Sequence, residues 1–243
     1  MNEIFEIQNG ELIKYHGEDR NVIIPDGVTS IGAFAFSKCE SLTSVNIPDS
    51  VTSIGDSAFL ECISLTSVNI PDSVTSIGND AFSKCLSLSS VNIPDSVTSI
   101  GFWAFLGCSS LTAFEVSGNN HDYASENGVL FNKDKTRLMQ YPVGNTRTEY
   151  TIPDSVTSIG WGAFIFCSNL TFVTIPDSVT SIGNYAFSKC SGLTLLKIGN
   201  GVKTIGDYAF SDCTNLTSVL ISDSVTSMGK GVFSNCPNCL LCD

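Results

Sequence analysis

The sequence has few histidines, few basic residues and no long apolar run. Its 243 residues include only two histidines, His16 and His121, which leaves little material for acid–base catalysis or imidazole metal centres. Twelve basic against 24 acidic residues give a net charge of −12, which argues against binding to nucleic acid or to anionic lipid. The longest apolar runs, Phe102–Leu106 and Ala163–Cys167, are far shorter than the roughly 20 residues of a membrane-spanning helix. The N-terminus also lacks the basic and apolar segments of a secretory signal.

The ten cysteines that are present reveal an internal repeat. Four of them, from Cys39 to Cys108, lie 23 residues apart, and four more, from Cys167 to Cys236, have the same spacing. A disulfide framework does not recur so evenly, whereas a residue that occupies one place in a repeat does. Eight copies of the repeat begin at isoleucines: Ile24, Ile47, Ile70, Ile93, Ile152, Ile175, Ile198 and Ile221.

Each unit carries eight small or apolar positions, too many for one 23-residue segment to bury unless copies stack and cover one another. The alternation in Leu88–Ile93 predicts a strand that pairs in parallel with its copies, about 4.8 Å apart. Pro94–Ser96 predicts a turn, and Val97–Ile100 predicts a second short strand on the opposite wall. We expect Gly101 to end that strand at a positive φ, and Ala104–Cys108 to close the coil as a short helical turn.

One position of the unit is phenylalanine in all eight copies. Stacking predicts a column of rings along the axis of the coils, which is a core feature rather than a cofactor site. The rings belong to Phe36, Phe59, Phe82, Phe105, Phe164, Phe187, Phe210 and Phe233.

The unit Ile-Pro-Asp-Ser-Val-Thr-Ser-Ile-Gly-x-x-Ala-Phe-x-x-Cys-x-x-Leu-x-x-Val resembles the BspA-type leucine-rich repeat, and the resemblance covers about residues 24–242. It implies a repeat solenoid, a right-handed superhelix rich in β-structure, with parallel strands and short helical turns. Many members of that family are surface or secreted proteins, so the resemblance implies adhesion or protein binding at the cell surface or outside the cell. The family offers no catalytic residues to carry over, and we expect neither an enzyme nor a cofactor.

The array of repeats is interrupted once, at about residues 117–149, by two apolar runs with a polar link, which predict a hairpin. Residues 1–23 follow the same plan in shorter form, with Tyr15 in the place of Tyr141. We therefore expect an N-terminal cap over residues 1–23 and a leucine-rich-repeat solenoid over residues 24–243. The insertion is expected to be a cap-like module that packs against the core.

Three cysteines cluster at the C-terminal end, namely Cys236, Cys239 and Cys242. They could begin a zinc site, but a structural site needs four ligands. In the register of the repeat they occupy the cysteine, leucine and valine positions, and we expect core residues there. The alternatives are a metal site completed by residues outside this chain, terminal disulfides, and cysteine links within a dimer.

Aspartate occupies the same turn position in seven units, after proline in six of them and after Ser222 in the last. Stacking would place neighbouring carboxylates about 5 Å apart, with a repulsion of roughly 0.8 kcal/mol per solvated pair. Bound calcium would relieve this repulsion. Water and backbone N–H groups of each Pro-Asp turn would relieve it too, and this second arrangement is the one we expect. The residues are Asp26, Asp49, Asp72, Asp95, Asp154, Asp177 and Asp223.

The positions that flank the inward valine of the longer strand face outward, on the strands that usually form the concave contact surface of such solenoids. Before the interruption they are mostly serine and asparagine, whereas later they include Phe172, Leu195, Lys197 and Leu220. Exposed apolar residues can mark an interaction patch, although drift within a degenerate repeat would give the same pattern. We predict that these four residues and the neighbouring insertion form a contact surface.

The sequence therefore predicts a non-enzymatic, adhesin-like interaction scaffold whose partner is a protein, such as a host extracellular protein. The acidic charge favours a basic or neutral partner. One alternative is a carbohydrate-binding module, if the insertion presents aromatic residues such as Tyr123 or Tyr141. Another is a structural segment of a larger surface protein. Nothing in the sequence indicates an oligomeric state.

Overall fold

The computed structural model describes the backbone of residues 4–242 and the side chains of residues 4–239. The chain divides into two compact units, Met1–Tyr123 and Ala124–Asp243, here called the N-terminal and C-terminal units. Both consist of strands and turns, and the described residues contain no helix. In each unit, every coil contributes a strand to a long-strand wall and a two-residue strand to a short-strand wall.

The long-strand wall of the N-terminal unit comprises β3 (Asn21–Ile23), β5 (Ser44–Asn46), β7 (Ser67–Asn69), β9 (Ser90–Ile93) and β11 (Ala113–Val116). Its short-strand wall comprises β1 (Phe5–Gln8), β2 (Glu11–Tyr15), β4 (Ser30–Ile31), β6 (Ser53–Ile54), β8 (Ser76–Ile77) and β10 (Ser99–Ile100). The long-strand wall of the C-terminal unit comprises β15 (Glu149–Thr151), β17 (Phe172–Ile175), β19 (Leu195–Ile198), β21 (Ser218–Leu220) and β23 (Leu240–Cys242). Its short-strand wall comprises β12 (Tyr123–Glu126), β13 (Val129–Asn132), β14 (Arg137–Gln140), β16 (Ser158–Ile159), β18 (Ser181–Ile182), β20 (Thr204–Ile205) and β22 (Ser227–Met228).

Strands of successive coils pair in parallel and in register, so that each residue lies beside its equivalent 23 positions away. Val45 is paired with Val68 on the long-strand wall, and Ile31 is paired with Ile54 on the short-strand wall. Because side chains alternate between the two faces of a strand, this register keeps every inward valine in the core and every flanking residue outside it. The predicted solenoid with parallel strands and a 23-residue period is confirmed.

The phenylalanine rings form a stacked column inside each unit, as the sequence predicts. In the N-terminal unit, the ring centroids of Phe36 and Phe59 lie 4.9 Å apart, and those of Phe59 and Phe82 lie 5.0 Å apart. In the C-terminal unit, the equivalent rings of Phe164 and Phe187 lie 4.5 Å apart. All of these rings are fully buried, so the columns are the centre of the core.

The expected helical turn that closes each coil is wrong. In the first coil, the N–H of Phe36 donates to the carbonyl of Ala58 in the next coil at 2.7 Å. The N–H of Ser37, by contrast, donates back to the carbonyl of Phe34 at 3.1 Å. Alternate N–H groups point along the stack because the φ angles of Phe34 and Lys38 are positive, at 58° and 63°. Residues of an α-helix have negative φ angles, so this turn is not helical. The closing turn is therefore a further hydrogen-bonded contact between coils.

The glycine that recurs after the short strand of every unit has a different cause from the one expected. The φ of Gly101 lies outside the left-handed region, so the expectation of a positive φ is wrong. A Cβ on Gly101 would instead lie 2.5 Å from the backbone carbon of Gly78 in the preceding coil. At all eight such positions a Cβ would come within 3.0 Å of a main-chain atom, so glycine is required by the close approach of the coils.

The N-terminal segment and the insertion both contain an antiparallel hairpin, β1–β2 and β13–β14. In each hairpin the second strand pairs in parallel with the first short strand of the array that follows. The ring of Tyr15 packs against Phe36 at an angle of 31°, and that of Tyr141 stacks on Phe164, both with a centroid separation of 5.2 Å. Each tyrosine therefore begins a column of rings. The hairpin predicted for the insertion is present and packs against the core. The division into cap, solenoid and insertion stays a prediction.

Candidate functional site

The four outward residues singled out in the sequence lie on one face of β17, β19 and β21. Phe172 is paired with Leu195, and Lys197 is paired with Leu220, so the four side chains form two adjacent columns. Leu195 is 47% exposed and Leu220 is 59% exposed, Lys197 is exposed, and Phe172 is half-buried. We call these four residues the strand-face patch.

The strand-face patch is rigidly supported from below. Between its outward residues lie Val173, Leu196 and Val219, which are fully buried in the core. Because the strands are parallel and in register, neighbouring outward side chains are one strand spacing apart, about 4.8 Å. The aliphatic stem of Lys197 can therefore lie along Leu220 while its ammonium group stays in water.

The corresponding face of the N-terminal unit is polar. Ser44 is paired with Ser67, and Asn46 is paired with Asn69, in the same two columns. At the edge of that sheet, Ile23 is the exception and is 72% exposed. The apolar pair Leu195 and Leu220 is thus a departure from a polar pattern that the same repeat adopts elsewhere.

A groove of about 440 Å³ lies beside the strand-face patch and shares Lys197 with it. This groove was not predicted from the sequence, although Gly199-Asn200-Gly201 in place of Pro-Asp-Ser was a signal of altered local structure. A Cβ at Gly199 would lie 2.5 Å from the backbone carbon of Pro176, so only glycine permits this approach. Asp177 also lines the groove, and its Oδ1 accepts a hydrogen bond of 2.7 Å from the N–H of Asn200 in the next coil. At Asp177 the carboxylate thus bonds to the following coil and not to its own turn, contrary to our expectation.

A carbohydrate site on the insertion would require exposed aromatic residues such as Tyr123 or Tyr141, but neither side chain is presented to solvent. Both are buried, and the hydroxyl of Tyr123 accepts a hydrogen bond of 2.9 Å from the N–H of Ile100. Burial is the main cause that raises the pKa of Tyr141 to about 12. These two tyrosines are core residues, and a glycan could not stack on them.

The cysteine column is a row of buried thiols that bond to the backbone. The Sγ of Cys62 donates to the carbonyl of Phe36 at 3.1 Å, and Cys236 makes the same bond to Phe210 at 3.1 Å. Burial raises the pKa of Cys62 and of Cys108 to about 12, so both thiols are protonated and unreactive at neutral pH.

The C-terminal cysteines follow the register of the repeat as far as the structure describes them. Cys236 occupies the thiol column, and Cys239 is partly buried against the core of the C-terminal unit. The side chain of Cys242 lies outside the described residues. Among the side chains that are described, no group of three His, Cys, Asp or Glu residues is placed to hold a metal ion.

The repeat and the fold together identify the family. A family model described as the BspA type leucine rich repeat region matches residues 14–127 and 144–240, in 6 copies. The chain belongs to this family. The match covers both units and agrees with the resemblance seen in the repeated unit.

Solved bacterial leucine-rich repeat structures resemble this chain closely in fold. The pneumococcal vaccine antigen PcpA has a TM-score of 0.78 at 24% identity, over 90% of this chain and 60% of the pneumococcal chain. A leucine rich cell surface protein from Faecalibacterium prausnitzii has a TM-score of 0.74 at 25% identity, over 97% of this chain and 85% of that chain. A leucine-rich repeat protein from Eubacterium ventriosum has a TM-score of 0.60 at 24% identity, over 93% of this chain and 88% of that chain.

The chain spans only 60% of the length of the pneumococcal chain. No curated protein matches this sequence at a significant level. The part of the chain that the structure describes contains no helix that could span a lipid bilayer.

Proposed function

We propose that the protein is a non-enzymatic scaffold that binds a neutral or basic protein through the strand-face patch. The observation that carries this proposal is the exposure of Leu195 and Leu220 on one rigid face, where the paired strands β5 and β7 of the other unit have serine and asparagine and only its edge strand has an exposed apolar residue, Ile23. Exposed apolar side chains rimmed by polar ones favour an interaction surface over a solvated one. The net charge of −12 disfavours an acidic partner.

We also propose an adhesin-like role at the cell surface or outside the cell, in contact with host extracellular protein. This location is supported by family membership and by the Faecalibacterium relative, which is described as a cell surface protein. The parallel, in-register strands supply an extended strand face, and in repeat scaffolds the concave strand face is the surface used for binding. The strand-face patch is a small hot spot within such a surface, since binding energy is concentrated in a few buried contacts.

The test begins with a pull-down from host extracellular material and identification of the captured protein. The dissociation constant of that purified partner is then measured for the wild type and for two variants, Phe172→Ser/Leu195→Ser and Leu195→Ser/Leu220→Ser. We expect each variant to weaken binding by roughly tenfold or more, as for hot-spot residues. The second variant changes only exposed side chains, so it keeps the test valid if loss of Phe172 lowers stability.

Phe102→Ser is the matched control, because Phe102 is 60% exposed but belongs to the N-terminal unit. This change should leave the affinity for the captured partner unaltered. Circular dichroism and the melting temperature verify that each variant is folded. If both patch variants bind the partner as tightly as the wild type, the strand-face patch is not the binding surface.

A further inference from the structure

A second and larger groove lies on the short-strand wall of the C-terminal unit, away from the strand-face patch. It has a volume of about 700 Å³ and runs across four coils, each of which contributes a Ser or Thr hydroxyl and the backbone of its glycine. Arg137 and Trp161 line it together with Asn184 and Asp207. We call it the coil groove. Its floor is fixed, because a Cβ at Gly183 would lie 2.9 Å from the backbone carbon of Gly160.

The polar side chains of the coil groove are held in place by a ladder between coils. Oδ1 of Asn184 accepts a hydrogen bond of 2.9 Å from the N–H of Asp207, and Oδ1 of Asp207 accepts one of 2.8 Å from the N–H of Lys230. Each bond uses one atom of the side chain. The amide nitrogen of Asn184 and the Oδ2 of Asp207 take no part in the ladder, so a donor and an acceptor stand one coil apart in fixed orientations.

An aromatic ridge accompanies these polar groups. Tyr185 and Tyr208 directly follow Asn184 and Asp207 in the chain, and their rings stack with centroids 5.2 Å apart. Trp161, which lines the coil groove, lies 6.4 Å from the ring of Tyr185. Tyr208 is 37% exposed. Of these three rings only Trp161 lines the coil groove, and the two tyrosines lie next to residues that line it. The coil groove therefore combines hydroxyls, one amide, one carboxylate and one guanidinium with one indole ring.

The spacing of these groups restricts the class of ligand. Equivalent groups recur once per coil, at the strand spacing of about 4.8 Å, whereas an extended peptide repeats every 3.3 Å or so and would fall out of register. A pyranose in an extended, β-linked chain advances by close to one coil spacing. Each sugar residue also offers paired hydroxyls for Asn and Asp side chains and an apolar face for an indole or phenol ring.

The charge of the C-terminal unit points to a neutral polymer. Residues 124–243 carry 9 acidic and 8 basic side chains, whereas residues 1–123 carry 15 acidic and 4 basic ones. The coil groove itself holds one carboxylate and one guanidinium, Asp207 and Arg137, whose charges balance. We propose that the coil groove binds a linear neutral polysaccharide in an extended conformation, with one sugar residue at each coil.

The N-terminal unit supplies an internal comparison. Its equivalent groove has a volume of about 350 Å³ and the same ladder, in which Oδ1 of Asp56 accepts a hydrogen bond of 2.7 Å from the N–H of Asn79. No aromatic residue is among the residues that line it, whereas Trp161 lines the coil groove. Phe102 lies next to it, since its N–H continues the ladder by donating to Oδ1 of Asn79 at 2.8 Å, but the ring is not part of the lining. Since hydroxyl contacts without stacking leave the sugar exposed to competition from water, we expect binding at the C-terminal unit alone.

The experiment measures binding of the full chain to neutral linear polysaccharides (β-glucans, xylan and mannan) by affinity electrophoresis. Calorimetry with oligosaccharides of two to six sugars then measures length dependence. We expect the affinity to rise with length up to about four sugars, one for each coil of the groove, and then to level off. Trp161→Ala and Tyr208→Asn should each weaken binding by roughly tenfold. Asparagine is chosen at position 208 because it tolerates the φ of 55° found there.

Two controls separate the coil groove from other surfaces. Asp56→Ala removes the ladder acceptor of the N-terminal groove, and Leu195→Ser/Leu220→Ser alters the strand-face patch; both should bind polysaccharide as the wild type does. The proposal is overturned if no neutral polysaccharide binds, or if the aromatic variants bind normally while folded. A preference for uronic-acid or sulfated polymers, or an affinity independent of length, would contradict it as well. These outcomes leave the protein-binding proposal untouched, because that proposal rests on a different wall.

Discussion

At the scale of single residues, the buried phenylalanines carry the largest individual contributions to stability. Phe82 is fully buried between the rings of Phe59 and Phe105, which lie at centroid distances of 5.0 and 5.5 Å. We expect Phe82→Ala to lower the free energy of unfolding by about 3–5 kcal/mol, because the stacked neighbours cannot close the cavity. Phe102→Ala, at a largely exposed ring, should cost much less. Urea unfolding of both variants measures the difference, and equal losses would contradict a ring-filled core.

A single methyl group should be poorly tolerated where two coils meet. In Gly78→Ala the new Cβ would lie 2.5 Å from the backbone nitrogen of Asp56, which cannot move without displacing its coil. We expect the melting temperature to fall by several degrees, corresponding to about 1–3 kcal/mol of overpacking. Gly118→Ala is the matched control, because nothing lies within 4 Å of a Cβ there. Similar melting temperatures for the two variants would show that close approach is not what requires the glycine.

The buried thiols should make the protein sensitive to alkali. The pKa of Cys62 and that of Cys108 are raised to about 12, whereas an unfolded thiol ionises near a pKa of about 8.5. As the pH rises, thiols of the unfolded state lose their protons before those of the folded state. The contribution of the protonated thiols to the free energy of unfolding is therefore complete below about pH 8.5 and is lost as the pH rises towards 12. The loss is up to about 1.4 kcal/mol for each thiol and each pH unit. We expect the melting temperature to fall more steeply from pH 8 to 10 in the wild type than in Cys62→Ala/Cys108→Ala. Parallel slopes would mean that the thiols ionise alike in both states.

At the scale of elements, strands could be predicted from the sequence and the closing turn could not. The alternation around Val91 and the exact period of 23 residues define both walls and their register. The closing turn depends on positive φ angles at residues as different as Phe34, Ser57 and Trp103. None of these residue types favours that conformation, which costs about 1–3 kcal/mol each. The hydrogen bonds to the next coil offset this cost, and they exist only once coils are stacked.

The two hairpins show how a repeat array can be started. We propose that β1–β2 caps the N-terminal unit, with Leu12 and Tyr15 in place of a preceding coil, and that β13–β14 does the same in the C-terminal unit. We expect Leu12→Ala to lower the free energy of unfolding by about 2–5 kcal/mol, since Leu12 is fully buried. Ile7→Ala, in the same hairpin but 39% exposed, should have little effect. If Leu12→Ala is as mild as Ile7→Ala, the hairpin is not a cap.

At the scale of the whole molecule, one repeat gives the C-terminal unit two different surfaces, the strand-face patch on the long-strand wall and the coil groove on the short-strand wall. The outward position of Leu195 and Leu220 in the strand-face patch could be predicted from the sequence, because alternation alone places these residues outside the core. The coil groove was missed, because it arises from backbones that approach across coils and from a ladder that joins residues 23 positions apart. Asn184 and Asp207 after successive glycines were its signal in the sequence. A column of like residues on a repeat can therefore mark a surface groove as well as a core.

The excess of acidic charge should make stability depend on salt in general rather than on calcium. The aspartates that follow the prolines are all exposed, and at Asp177 one carboxylate oxygen already accepts a backbone N–H. Calcium needs six to eight oxygen ligands, more than one such column offers at any point. We expect the melting temperature to rise as NaCl increases from about 10 mM to 0.5 M, because the Debye length falls from about 30 Å to a few ångströms.

Millimolar CaCl₂ and MgCl₂ should raise the melting temperature by equal amounts, since each acts only by screening. Magnesium is the control because it shares the charge of calcium but keeps its own waters and demands a strict octahedral geometry. A larger rise with calcium, abolished in Asp72→Asn/Asp95→Asn, would show that the column binds the ion. Equal rises with both ions, unchanged in that variant, fit carboxylates that are solvated one by one along the stack.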